Sequence, residues 1–218
     1  MITYFYRALV MLVAIPFHEA AHAFVSWKLG DSTAKDMGRM TINPMAHFDP
    51  MGALCMIVAG VGWAKPVPTQ AYRFRNPKVG MALTACAGPA ANFTLAFVSA
   101  ILYKIVLYVS LATGANGMLI AAVSQILYYM IIMNVSLAVF NLIPVPPFDG
   151  SRILLTFLPQ KWYFYVMKYE QYIFVGMFLL LMVGVLDRPL GMLNAYTIGV
   201  LDRATSFVDV IAVKLLFA

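Results

Sequence analysis

Residues 16–23 read PFHEAAHA, inside the otherwise apolar run MITYFYRALVMLVAIPFHEAAHAFVSW (residues 1–27). A run of that length suits a membrane helix, which needs about 20 apolar residues. Yet it holds two histidines and a glutamate. A charged side chain near the middle of a bilayer costs about 3 kcal/mol on insertion scales. A metal ion gathered by those side chains offsets that cost. The stretch therefore predicts a chain that folds in lipid around a polar centre.

The composition agrees. Of 218 residues, 62% are hydrophobic and 11% charged, where soluble domains run at roughly half and about a quarter. The length suits one bundle of several spans. The net charge of +6 does not point to nucleic acid. The basic residues are few and sit at the ends of apolar runs, where they face lipid headgroups. Cys55 and Cys86 lie in apolar surroundings and read as buried small hydrophobes rather than a bridge. The first apolar segment lacks a strongly charged start and carries HEAAH, so it is expected to be retained as a span.

Full spans are predicted over about Thr3–Trp27, Val79–Val109, Gly117–Leu142 and Tyr169–Leu186. Residues 190–216 are apolar but broken by Asp202, Arg203 and Asp209, and could span poorly or lie in the interface. Residues 51–64, MGALCMIVAGVGWA, are short and glycine-rich, which suggests a re-entrant or interfacial piece. The proline-rich KPVPTQAYRFRNPK that follows cannot be a regular helix. The expected fold is an all-α polytopic membrane protein of about four to five spans. A re-entrant or short β-like segment is expected between the first and second spans.

Lys28, Lys35, Arg39, Lys65, Arg73, Arg75 and Lys78 fall between the first two spans, and Arg152, Lys161 and Lys168 fall between the third and fourth. Positive-inside bias makes both loops cytoplasmic. The polar centre then lies toward the cytoplasmic side.

On a helix, His18 and His22 share one face, one turn apart, and Glu19 reaches the same space from the side. This is the H-E-x-x-H arrangement of two zinc ligands and a general base. The plainer alternative is a pair of core histidines hydrogen-bonded to Glu19, which leaves a second polar cluster unexplained. That cluster is NLIPVPPFDGSRIL (141–154). A catalytic zinc takes three protein ligands and keeps one position open, and Asp149 suits the third. Three prolines and Gly150 break the helix there, so a carboxylate can turn inward. Read alone, Asp149-Gly150 is an ordinary turn.

At these residues the chain resembles the site-2 protease family of intramembrane zinc metalloproteases. HEAAH (18–22) is similar to the family's H-E-x-x-H. NPMAHFDPMG (43–52) is similar to its N-P-x-x-H-x-D-P-x-G loop, and GPAAN (88–92) to its G-P-x-x-N. NLIPVPPFDG (141–150) is similar to its N-x-x-P-x-P-x-x-D-G. The resemblance implies one zinc ion per chain, bound by His18, His22 and Asp149, with Glu19 as base. It also implies that Asn141 sits near the metal and bonds the substrate or the developing oxyanion. The order of motifs resembles the minimal, core-only type without a PDZ or other soluble domain. That type is one integral-membrane protease domain over 1–218, with its catalytic core at about 3–155.

The implied partners are a transmembrane protein or peptide substrate and the lipid bilayer. A substrate helix must unwind before water can attack its peptide bonds, and residues 62–74 could offer it an edge strand. An interfacial loop explains that segment equally well. His47 could orient a ligand or simply cap its own loop. Gly88, Pro89 and Asn92 read as helix packing with an interhelical hydrogen bond. Two other functions use the same residues: a metal-ion transporter and a non-catalytic membrane scaffold. Neither explains a glutamate inside H-x-x-H.

Overall fold

The computed structural model describes residues 2–52 and 64–217. Its helices are α1 (Ile2–Lys28), the short α2 (Thr33–Asp36) and α3 (Pro44–His47), α4 (Pro77–Thr113), α5 (Met118–Asn141), α6 (Asp149–Phe157), α7 (Gln160–Lys168), α8 (Glu170–Met182), α9 (Asp187–Ala204) and α10 (Ser206–Phe217). Among the described residues there is no strand, so the fold is all-α.

Among the described residues, three helices are long and apolar enough to cross a membrane: Thr3–Lys28, Pro77–Thr113 and Met118–Asn141. Each matches an expected span to within a few residues. The fourth expected span, 169–186, differs. Helix α8 stops at Met182, and Gly184 takes a positive φ of 76°, a conformation open to glycine at little cost. The chain then bends by 83° into α9. At most, α8 and α9 together make one broken crossing.

Helix α4 is the hub, packing against α1, α5, α6 and α10. Small residues make that possible: Gly80, Ala85, Gly88, Ala91, Ala96, Ser99 and Ala100 line its buried side, where close approach of helices substitutes for a hydrophobic driving force. Asn76 caps α4, its side chain accepting from the Val79 amide, and Pro77 follows at the first helical position, where a missing N–H costs nothing. Both α1 and α4 carry an internal proline at the level of the polar centre, Pro16 and Pro89. Each removes one intrahelical donor.

Between α5 and α6 the chain reverses through turns. A side chain at position 150 would collide with the Leu142 and Ile143 carbonyls, so Gly150 is what lets α6 begin there. Residues 64–70 are irregular, without the β-like ladder that the proline-rich sequence suggested. The re-entrant piece expected at 51–64 falls almost wholly on residues outside the described ones, as do Gly62 and Trp63 of the expected edge strand. Cys86 is exposed on the outer face of α4, not buried as expected, because it sits two residues from the inward-facing Thr84 and Gly88. Cys55 lies outside the described residues.

Candidate active site

Helix periodicity brings His18 and His22 to one point: their Nε2 atoms are 3.0 Å apart. Asp149, in the first turn of α6, places Oδ2 3.3 Å from each of those nitrogens. Its position at a helix N-terminus favours the carboxylate. The three atoms form a nearly equilateral triangle. A tetrahedral zinc with ligand bonds of about 2.0–2.1 Å has ligand–ligand edges of about 3.3–3.4 Å. The triangle thus fits three corners of such a site, and the donor set of two imidazoles and a carboxylate is a catalytic one.

The surroundings fit as well. His22 Nδ1 donates to the Thr84 carbonyl at 2.7 Å. That bond puts the proton on Nδ1 and leaves the Nε2 lone pair facing the triangle. His18 Nδ1 lies 3.1 Å from the Asn92 side-chain nitrogen. Asn92 is fully buried, and its Oδ1 has no other partner. A half-turn of the amide brings that oxygen onto His18 Nδ1–H and gives both histidines the same tautomer. Asp149 Oδ2 is buried and accepts no conventional hydrogen bond, as befits an atom reserved for an ion. Gly88 forms the floor. A Cβ there would collide with His22 Nε2 and with His18 Cε1 and Nε2. Thr84, Gly88 and Asn92 recur every four residues and so line one face of α4.

Glu19 is adjacent to His18. Its Oε2 accepts from the Val67 amide at 3.0 Å. Residues 65–70 are themselves fastened along their length. Lys65 N donates to the His47 carbonyl at 2.9 Å. Arg39 Nη2 donates to the Lys65 and Pro66 carbonyls at 3.0 and 3.1 Å. Gln70 N donates to Asp31 Oδ2 at 2.6 Å. Asp31 is fully buried and also accepts from Thr33 N and from the Thr33 and Ser26 hydroxyls. Burial pushes its pKa up, but the bonds from Gln70, Thr33 and Ser26 outweigh this and hold it below the ordinary carboxylate value.

Of the residues expected at the site, His18, His22 and Asp149 meet, and Glu19 stands beside them. Asn141 is different: its amide donates to Leu137 of its own helix at 3.0 Å, and no hydrogen bond links it to the triangle. His47 is nearly fully buried, and its Nε2 bonds the Thr41 carbonyl at 2.9 Å. It organises its own loop, which in turn receives Lys65. Sequence reasoning missed Thr84, Arg39 and Val67, and underrated Gly88 and Asn92. The four-residue spacing of Thr84, Gly88 and Asn92 in an apolar helix was a usable signal. The carbonyl of Thr84 and the amide of Val67 carry none.

Comparison with known proteins follows the same line. The profile described as Peptidase family M50 matches residues 104–184. YwhC of Bacillus subtilis (strain 168), a zinc metalloprotease by name, is 37% identical over 202 residues, spanning 87% of this chain and 86% of its own length. Rip2 of Mycolicibacterium smegmatis, also named so, is 29% identical over 151 residues, which are 66% of this chain and 53% of Rip2. Rip2 of Mycobacterium tuberculosis (strain H37Rv) is 25% identical over the same shares. No solved structure matches the chain.

Proposed function

This chain belongs to peptidase family M50, and we propose that it acts as an intramembrane zinc metalloprotease that hydrolyses peptide bonds within or near transmembrane helices of other membrane proteins. The observation that carries this reading is the triangle of His18, His22 and Asp149, built from two separate helices with a carboxylate base beside it. Zinc held there supplies Lewis acidity toward a carbonyl and acidifies water.

The residues then divide the work. His18, His22 and Asp149 hold one ion per chain. Glu19 takes the proton of the attacking water and returns it to the leaving amine. Its bond from Val67 N fixes one carboxylate oxygen and leaves the other to face the reaction. Asn141 serves as a donor to the substrate or the oxyanion once its amide turns from Leu137. The bundle is one integral-membrane domain, with the site at the end of α1 nearest the basic loop, on the cytoplasmic side.

The substrate is an unwound stretch of a membrane helix. Within residues 65–70 the amides of Lys65, Val67 and Gln70 are already engaged, and positions 66 and 68 are prolines. An incoming strand finds one uncommitted amide, Thr69, and must use carbonyls. The segment is thus better suited to holding Glu19 than to serving as a full pairing edge. Crosslinks from positions 66–72 to a bound substrate would show which role dominates.

Glu19→Gln tests the core of the reading. It should keep zinc at one per chain and lower cleavage of a helical membrane substrate by about 10²–10⁴-fold or more. Cleavage at the parent rate would remove Glu19 from the chemistry. Full zinc content in Asp149→Ala would remove Asp149 from the ligand set.

A further inference from the structure

Arg39 is 8% exposed, and the described residues offer it two backbone carbonyls and no carboxylate. Among the described residues it is the one Lys or Arg that is buried. Arg73 approaches Asp31, Lys104 lies between Asp202 and Asp209, and Arg152 pairs with Glu170. A guanidinium has five N–H donors, and a buried cation without a counter-ion is costly. Arg39 forms one wall of a cleft of about 400 Å³ that is also lined by Met37, Gly38, Lys65, Pro66 and Pro68. None of its lining residues is acidic, and Lys65 is exposed.

A second observation says where the cleft sits. Met37, Ile42, Met45 and Phe48, on the same stretch of chain, are 63%, 66%, 72% and 50% exposed. Large apolar side chains on a basic segment between two membrane helices belong in the bilayer interface. Anchored there, the segment carries Arg39 and Lys65 to the depth of the headgroups.

We propose that Arg39 and Lys65 form a phosphate-binding cleft that takes the headgroup of an anionic phospholipid, and that filling it steadies Glu19. The coupling is short. The carbonyls Arg39 holds belong to residues 65 and 66, and the next amide, Val67, is the one bonded to Glu19. An anion on the guanidinium completes its shell, keeps it over those carbonyls and so keeps Val67 N in place. The effect on turnover rests on Glu19 being the base; binding does not.

The test uses the full chain with Arg39→Gln and Lys65→Gln. Detergent-purified protein is titrated with phosphatidylglycerol, phosphatidylcholine and inorganic phosphate, reading the unfolding midpoint and, by mass spectrometry, retained lipid. The parent should retain phosphatidylglycerol and gain stability from it as mass action requires. Both variants should lose both effects, and phosphatidylcholine should produce neither. A shift with inorganic phosphate that both variants abolish supports the cleft and makes free phosphate its source. If the parent and Lys65→Gln respond alike to every probe, the cleft is overturned. Should Arg39→Gln fail to fold, Lys65→Gln decides alone. In bilayers, added phosphatidylglycerol should speed cleavage several-fold in the parent and not in Lys65→Gln. Lipid retained without any change in turnover would overturn the link to Glu19 alone.

Discussion

At the scale of single residues, Gly88 carries more than its size suggests. The floor beneath the imidazoles is backbone, and any side chain there takes the space of the ligand atoms. Gly88→Ala is expected to lower zinc affinity at least as much as losing an outer partner of a ligand, about 10–100-fold, with helicity kept. Metal content after dialysis against a chelator, beside a circular dichroism spectrum, checks this. The cluster of His18, His22 and Asp149, with Glu19 beside it, was legible in the sequence because imidazole and carboxylate are rare in apolar runs and their spacing is fixed by the helix. Their supports were less so. Asn92 and Gly88 looked like packing residues because, in lipid, packing also selects small residues and amides. Val67 and Thr84 act through backbone atoms that every residue type supplies.

At the scale of elements, three of the four expected full spans were legible from apolar length, whereas the expected span 169–186 breaks near Gly184, where the chain bends by 83°. The loops were not, because their conformation follows from particular bonds. The irregular stretch 65–70 runs along the end of α1 between Glu19 and Asp31. Asp31 titrates below its unfolded value, so its contribution is present above the unfolded pKa and is lost as pH falls through the folded one. Below about pH 4, amide exchange at 69–73 should rise before the spans α1, α4 and α5 open. Equal protection at pH 3 and pH 7 would remove Asp31 as the fastener. In the same stretch, Val67 is the residue between two prolines whose N–H reaches Glu19. Val67→Ala keeps that donor and should keep kcat. Val67→Pro deletes it and should lower kcat about tenfold or more, with zinc retained. A parent-like rate in Val67→Pro would show that Glu19 needs no such bond.

At the scale of the whole molecule, α4 is 37 residues long, about 55 Å at 1.5 Å per residue, against a hydrocarbon layer of about 30 Å. Gly88 lies about 16 Å along it from Pro77, and Lys104 about 40 Å. Lys104 Nζ meets Asp202 at 2.8 Å and Asp209 at 2.7 Å, and Tyr108 donates to Asp209 at 3.1 Å. This group fastens α9 and α10 to the hub. Asp209→Asn should lower stability by about 1 kcal/mol and free α10 to proteolysis, while zinc content stays at the parent level. Zinc loss in that variant would mean that the C-terminal helices help shape the metal site. The length of α4 has a further result. Under the proposed topology, the fastening of the C-terminal helices and the loop that holds Glu19 lie toward opposite compartments. In a sealed vesicle, salt or a protease confined to one face meets one of them and is blind to the other.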